Sequence, residues 1–267
     1  MLKFGMPTLI ETSSIDTCAA LCQKLHLEFI ELNMNLPQYQ PGNINIPYFK
    51  EIADWYGVFY TVHLDENLNI GDFNPYVADA YRRTVAETIE LAKKLSIPIL
   101  NMHLSNGVYF TLPDKKVYLF WEYQEQYLES ILRFRIMCEK AIGNSDITIC
   151  IENCGGFFDF QRKAIDILLD SPVFGLTFDI GHNHSCGGLD EPYIIKNATR
   201  LCHLHMHDAL GKNNHLPLGT GEIHLNQYLN LAQEQNCRVV LETKTVEGLQ
   251  QSVNWLQNRT KQREDIR

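Results

Sequence analysis

Residues 201–208 read "LCHLHMHD". His203, His205 and His207 alternate with Cys202, Leu204 and Met206. A strand sends successive side chains to opposite faces, so this stretch as a strand places three imidazoles on one face and apolar groups on the other. Short apolar runs of the same kind recur along the chain. They are "FGMPTLI" (4–10), "EFIELN" (28–33), "VFYTVHL" (58–64), "IPILNMHL" (97–104), "ITICIEN" (147–153), "FGLTFDI" (174–180), "LCHLHMH" (201–207) and "RVVLETK" (238–244). Helical patterns separate them. "SIDTCAALCQKLH" carries apolar residues at three- and four-residue spacing. "NPYVADAYRRTVAETIELAKKL" opens with Asn74 as N-cap and Pro75 at the first helical position. "YQEQYLESILRFRIMCEKAIG" stops at Gly143. "HLNQYLNLAQEQN" and "VEGLQQSVNWLQN" complete the set.

Eight strand-to-helix alternations in 267 residues predict a single (β/α)8 TIM barrel, a fold of about 250 residues. A doubly wound open sheet would call for a glycine-rich turn after the first strand, and "IETSSID" is not one. One domain is expected over 1–267, with the polar stretch "NRTKQREDIR" at 258–267 fraying. The chain is 45% hydrophobic and 21% charged, as a large core requires, and its net charge is −9. That balance disfavours non-specific nucleic-acid binding. The opening residues lack the apolar run of a signal peptide, and no stretch approaches the roughly 20 apolar residues of a membrane span. A cytoplasmic protein is expected. Its eight cysteines form no CxxC pair and read as buried free thiols.

A barrel of this kind carries its active site at the C-terminal ends of its strands. Alternation gives the last two inward residues of six strands. They are Thr61 and His63, Asn101 and His103, Cys150 and Glu152, Thr177 and Asp179, His203 and His205, and Val240 and Glu242. Any one of these alone reads as a hydrogen-bonded structural group. Six acidic or imidazole groups converging on one mouth would repel and lie uncompensated, and divalent cations resolve both problems. Carboxylate and imidazole donors suit zinc or manganese, with magnesium, iron or cobalt as further candidates. His182 and His215 lie just past the strands as additional ligands. His184 and His207 read as loop polarity or supporting hydrogen bonds, and His203 as a support one layer below His205. The "PLGTGE" turn offers backbone N–H groups to an anion. Lys244 stands at the end of the last strand, within reach of a substrate phosphate or simply solvated.

In this order the residues resemble the xylose-isomerase-like TIM barrels, which include sugar (phosphate) isomerases and epimerases, inosose-converting enzymes and the endonuclease IV group. The resemblance spans nearly the whole chain. It implies one divalent metal held by Glu152, Asp179, His205 and Glu242, with His182 beside the substrate. The stretches "VHLDENLNIG", "LNMHLSNG", "IENCGG", "FDIGH", "HMHDA", "NNHLPLGTGEI" and "LET" further resemble the endonuclease IV group, which holds three zinc ions with nine ligands. Eight of those residue types recur as His63, His103, Glu152, Asp179, His182, His205, His215 and Glu242. Asn213 stands where the ninth, an aspartate, is expected. One to three ions are therefore implied.

The loops after strands two and six contain no Lys or Arg, and the loop after strand three is acidic. Only Lys115, Lys116, Arg162, Lys163 and Lys212 stand near the rim. A duplex groove offers more cations than this, so a small sugar or sugar phosphate is the expected substrate. The expected activity is isomerisation or epimerisation, with Glu152 and Glu242 moving the proton and His182 orienting a substrate oxygen. The alternative is phosphoester hydrolysis by a two- or three-zinc cluster, of which abasic-site endonuclease action is the DNA-specific form. The aromatic-rich "VYFTLPDKKVYLFWEYQEQY" reads as a lid, a loop over the mouth or a contact in a homo-oligomer.

Overall fold

The computed structural model describes residues 2–264. Eight parallel strands close into one barrel: β1 (Lys3–Pro7), β2 (Phe29–Asn33), β3 (Phe59–His63), β4 (Ile99–His103), β5 (Thr148–Glu152), β6 (Phe174–Asp179), β7 (Leu201–Met206) and β8 (Arg238–Leu241). Each pairs with its neighbours in sequence, and β8 returns to β1 through Lys3↔Arg238 and Gly5↔Val240. All eight predicted strands are present. The ring of helices is α1 (Ile15–Lys24), α2 (Ile46–Tyr56), α3 (Pro75–Leu95), α4 (Gln124–Ile142), α5 (Asp159–Leu169), α6 (Glu191–Lys196), α7 (Leu225–Glu234) and α8 (Val246–Glu264).

Local chemistry sets the helix ends. Ser14 caps α1 by accepting the Thr17 backbone N–H, and Asn74 Oδ1 accepts the Tyr76 N–H at the start of α3, just before Pro75. Gly143 ends α4 at φ +57°. Three helices, α2, α5 and α6, were not among the expected ones. The helix α2, whose N-cap is Asn45, begins within the last residues of the loop expected after strand two and runs on to Tyr56. The helix α8 runs through Glu264, into the stretch 258–267 expected to fray, and 265–267 lie outside the described residues.

The apolar core lies between barrel and helices. Ile30, Leu32, Val62, Leu100, Met102, Ile149, Ile151, Phe178, Leu204, Met206 and Leu241 leave the strands outward and are buried there. The barrel interior is different. Phe29 plugs its N-terminal end, in a space kept by Gly5, where an added Cβ would come within 2.5 Å of the Phe29 ring. Above Phe29 the interior turns polar, with Glu31, Thr61, Asn101, Thr177, His203 and His205 all buried. The expectation of buried thiols holds for Cys18, Cys22, Cys138, Cys150 and Cys237. It fails for Cys154, which is exposed, and for Cys186 and Cys202, which are half-buried. Cys202 sits where β7 carries one extra residue against β6, since Leu176 faces Leu201 and Thr177 faces His203.

A carboxylate and imidazole cluster at the barrel mouth

The strand ladder brings the predicted rim residues together. His103 faces Glu152 across β4 and β5, Asp179 faces His205 across β6 and β7, and His63 stands beside Asn101. Glu152 is the centre. Its Oε2 accepts the Asn101 side-chain amide and lies 3.0 Å from His103 Nε2 and 3.3 Å from His63 Nε2. Its Oε1 lies 3.0 Å from His205 Nδ1. On the other side of His205 Nδ1 are Glu242 Oε2 at 3.2 Å and Asp179 Oδ2 at 4.0 Å. Donor atoms of Glu152, Asp179, His205 and Glu242 all lie within 4.8 Å of one another, as do those of His63, Glu152 and His205.

Ring nitrogens are assigned by their partners. His63 Nδ1 lies 2.8 Å from the Leu64 carbonyl, so it carries hydrogen and turns Nε2 to Glu152. His215 Nδ1 faces the Glu242 carbonyl at 3.0 Å, which leaves Nε2 at 3.3 Å from His182 Nε2. His215 takes φ +55°, a left-handed backbone uncommon for non-glycine residues but adopted more readily by histidine than by most. His207 accepts the His215 backbone N–H on Nδ1 at 2.8 Å and meets Asp179 Oδ2 through Nε2 at 3.1 Å. Both of its nitrogens are engaged, as the supporting role expected of it requires. The glycine of "FDIGH" makes room for it, because a Cβ on Gly181 would fall 2.0 Å from the His207 ring. Asp179 also caps the short helix Ile180–Ser185 by accepting the His182 N–H.

The charges are settled by competition between burial and contact. Burial pushes the Glu152 and Glu242 carboxyls up, and His205 together with His103 at Glu152 and Lys244 at Glu242 more than offsets this, so both are held well below the usual carboxylate range. Burial pulls the His63 imidazolium down, and Glu152 outweighs it, raising His63 to about 9. Burial dominates at His215, which falls to about 4.

Three further expectations have outcomes here. His184 pairs with Glu222 at 2.8 Å on the surface, away from the cluster. Lys244 Nζ lies 2.8 Å from Glu242 Oε1 instead of standing free. In the turn "PLGTGE" N–H groups are taken within the protein, that of Leu218 by Ser252, of Gly219 by Asp208, of Thr220 by the Pro217 carbonyl and of Glu222 by the Ala209 carbonyl. Of the rim cations, Lys116 lies over the Tyr109 ring, Arg162 pairs with Asp159 and Lys163 bonds Gln124. The aromatic-rich segment forms a hairpin, Tyr109–Thr111 with Lys116–Tyr118, followed by the short helix Leu119–Glu122.

One residue was missed. Glu31 of β2 lies beneath the cluster, 2.8 Å from both His203 Nε2 and His205 Nε2. The signal was available: in "EFIELN" alternation puts Phe29, Glu31 and Asn33 on the inward face. Burial pushes the Glu31 carboxyl up, and the two histidines carry it well below the usual range.

Residues 19–259 match the family described as xylose isomerase-like TIM barrel, and the chain belongs to that family. An uncharacterized protein of Methanocaldococcus jannaschii is 22% identical over 242 residues, covering 86% of this chain and 83% of its own. A D-tagatose 3-epimerase-like protein superposes with a TM-score of 0.80 at 22% identity, covering 100% of both chains. The 3-keto-D-glucoside 4-epimerase of E. coli gives 0.78 at 14% identity over 97% of this chain and 100% of that one. The IOLI protein, solved with a bound zinc atom, gives 0.70 at 14% identity over 94% and 95%. No helix among the described residues is long and apolar enough to cross a membrane.

Proposed function

We propose that this chain is a divalent-metal-dependent isomerase or epimerase of a sugar or sugar phosphate. The observation that carries the reading is the meeting of Glu152 and Glu242, from the non-adjacent strands β5 and β8, on the two sides of His205 Nδ1. The donor set fits a metal ion. Three buried carboxylates and an imidazole converge, Lys244 meets only the Oε1 side of Glu242, and Glu242 Oε2 has no hydrogen-bond partner among the described residues. Glu152, Asp179, His205 and Glu242 would hold the ion, zinc or manganese by donor type. A divalent ion there supplies a Lewis acid that polarises a carbonyl and its neighbouring hydroxyl.

The chain's own groups account for the proton. One glutamate carboxylate takes a proton from carbon and, as the acid so formed, can return it to the adjacent carbon; return to the opposite face requires the other carboxylate first to take up a proton from solvent. Asn101 and His103 steady Glu152 Oε2, while Lys244 holds Glu242 Oε1. His182 Nδ1 has no hydrogen-bond partner among the described residues, with Asp179 Oδ2 no nearer than 3.9 Å, and suits a substrate oxygen. Beside Glu242 opens a cleft of about 380 Å³ with Thr8, Asn33, Asn35 and Glu66 among its lining residues. Its size and neutral amides suit a small polyol. The epimerase names of the similar structures support the same reading.

A second reading rests on the other histidines. His63 and His103 beside Glu152, and His182 opposite His215, would hold second and third ions, as phosphoester hydrolysis by a zinc cluster requires. Elemental analysis joined to two assays separates the two. Epimerisation predicts solvent deuterium entering a ketose or its phosphate, reduced by about 10²–10⁴-fold in Glu152→Gln. Two or three zinc ions per chain with cleavage of an abasic-site oligonucleotide would overturn it.

A further inference from the structure

The deepest carboxylate of the barrel takes no part in the chemistry above. Glu31 is enclosed, and its oxygens meet three donors from two other strands. Thr61 Oγ1 donates to Oε2 at 3.0 Å, and His203 Nε2 lies 2.8 Å from the same oxygen. Oε1 lies 2.8 Å from His205 Nε2. A purely structural carboxylate would be served by Thr61 and His203 on Oε2 alone. The second oxygen instead reaches the one imidazole whose other nitrogen faces Glu152 and Glu242.

A neutral imidazole has a lone pair on one ring nitrogen only, and the partner of the other nitrogen decides which. We propose that Glu31 is a positioning residue: it holds the Nε2 hydrogen of His205 and thereby presents Nδ1 to the carboxylates of Glu152, Asp179 and Glu242. The ring then stands between Oε1 of Glu31 and Oε1 of Glu152, the first a charge contact at 2.8 Å and the second a hydrogen bond at 3.0 Å. Thr61, the cross-strand partner of Glu31, donates to the other oxygen, Oε2, which faces His203 and not His205. A carboxylate behind a ligating histidine both orients the ring and raises its basicity, and its loss typically weakens metal binding by about 10–100-fold.

The inference rests on the metal-binding reading of the cluster, and its test separates the two. Glu31→Gln keeps the size and removes the charge. Its zinc dissociation constant, measured by competition with a chelating dye, is expected to rise by about 10–100-fold. Thr61→Val removes a bond to the same carboxylate without touching His205, and is expected to shift the constant by less than about threefold. Stability does not discriminate, since both changes disturb buried groups. A second readout needs no metal. In the metal-free parent the His205 Nε2 proton should appear as a protected, far-downfield ¹⁵N-coupled resonance, moved upfield in Glu31→Gln, whose amide oxygen is the weaker acceptor, and unmoved in Thr61→Val. Unchanged zinc affinity in Glu31→Gln, or an unmoved resonance there, would overturn the proposal. If Glu31→Gln does not fold, ¹⁵N shifts of the zinc-loaded parent decide alone: zinc on Nδ1 with a proton on Nε2 supports it, and zinc on Nε2 overturns it. A parent protein that binds no zinc would remove the metal reading, while the His205 resonance still judges Glu31.

Discussion

Two pairs of histidines flank the same ring of carboxylates and are built in different ways. His63 and His103 end adjacent parallel strands, so the hydrogen-bonded ladder sets their spacing, with ring centroids 4.9 Å apart. His182 and His215 are carried by a six-residue helix and a two-stranded hairpin outside the barrel. Their nearness depends on staples between side chain and backbone. Asp208 gathers the N–H groups of Ala209, Gly219 and Ile223, His207 takes that of His215, and Asp179 takes that of His182. A pair set by strand register is hard to move without unmaking the sheet. A pair set by staples is separable from the fold, and it is the pair beside which Asn213 replaces the expected acid.

The comparison breaks most visibly at the metal. His63→Ala is expected to remove one metal equivalent wherever more than one binds, and His215→Ala to leave the Glu152, Asp179, His205 and Glu242 group loaded. Elemental analysis of the two variants checks this. Equal losses in both would mean that the two pairs are one unit.

Acidity sharpens the same contrast. His63, raised to about 9, carries a proton on the nitrogen that faces Glu152 at pH 7, and a metal ion there must displace it. Apparent affinity at that position should rise with pH by roughly tenfold per unit until about pH 9, then level. His215, lowered to about 4, is already neutral at pH 7, so occupancy at the outer pair should show no such rise from that residue. Zinc titrations between pH 6 and 9 in the parent and in His63→Ala measure the difference.

The smallest effect concerns the staple itself. Asp208→Ala leaves buried N–H groups without their acceptor and should cost about 2–3 kcal/mol of stability. Denaturant melts measure the cost. Zinc retained by the deep group with loss at the outer pair would confirm that the staple serves the loop alone.

Much of this molecule can be read along the chain. The eight strands stand out because each buries an apolar face outward while its inward face changes chemistry toward the C-terminal end. The candidates His63, His103, Glu152, Asp179, His205 and Glu242 follow from that alternation alone. The helix α2 escaped notice because the Pro, Gly and Asn residues before it look like an extended loop, and α6 because six residues hold too little period. Glu31 escaped because a single acid in "FIELN" looks like the polar end of a strand.

By itself the sequence determined the strand count, the barrel and the inward order of groups along each strand, because side-chain direction has a period of two that needs no partner. Only the tertiary structure decided which of those groups touch. Barrel closure sets Glu31 of β2 against His205 of β7, 174 positions later in the chain, and makes Glu152 the meeting point of three histidines. It also assigns the ring nitrogens, since a tautomer depends on a partner supplied by another strand.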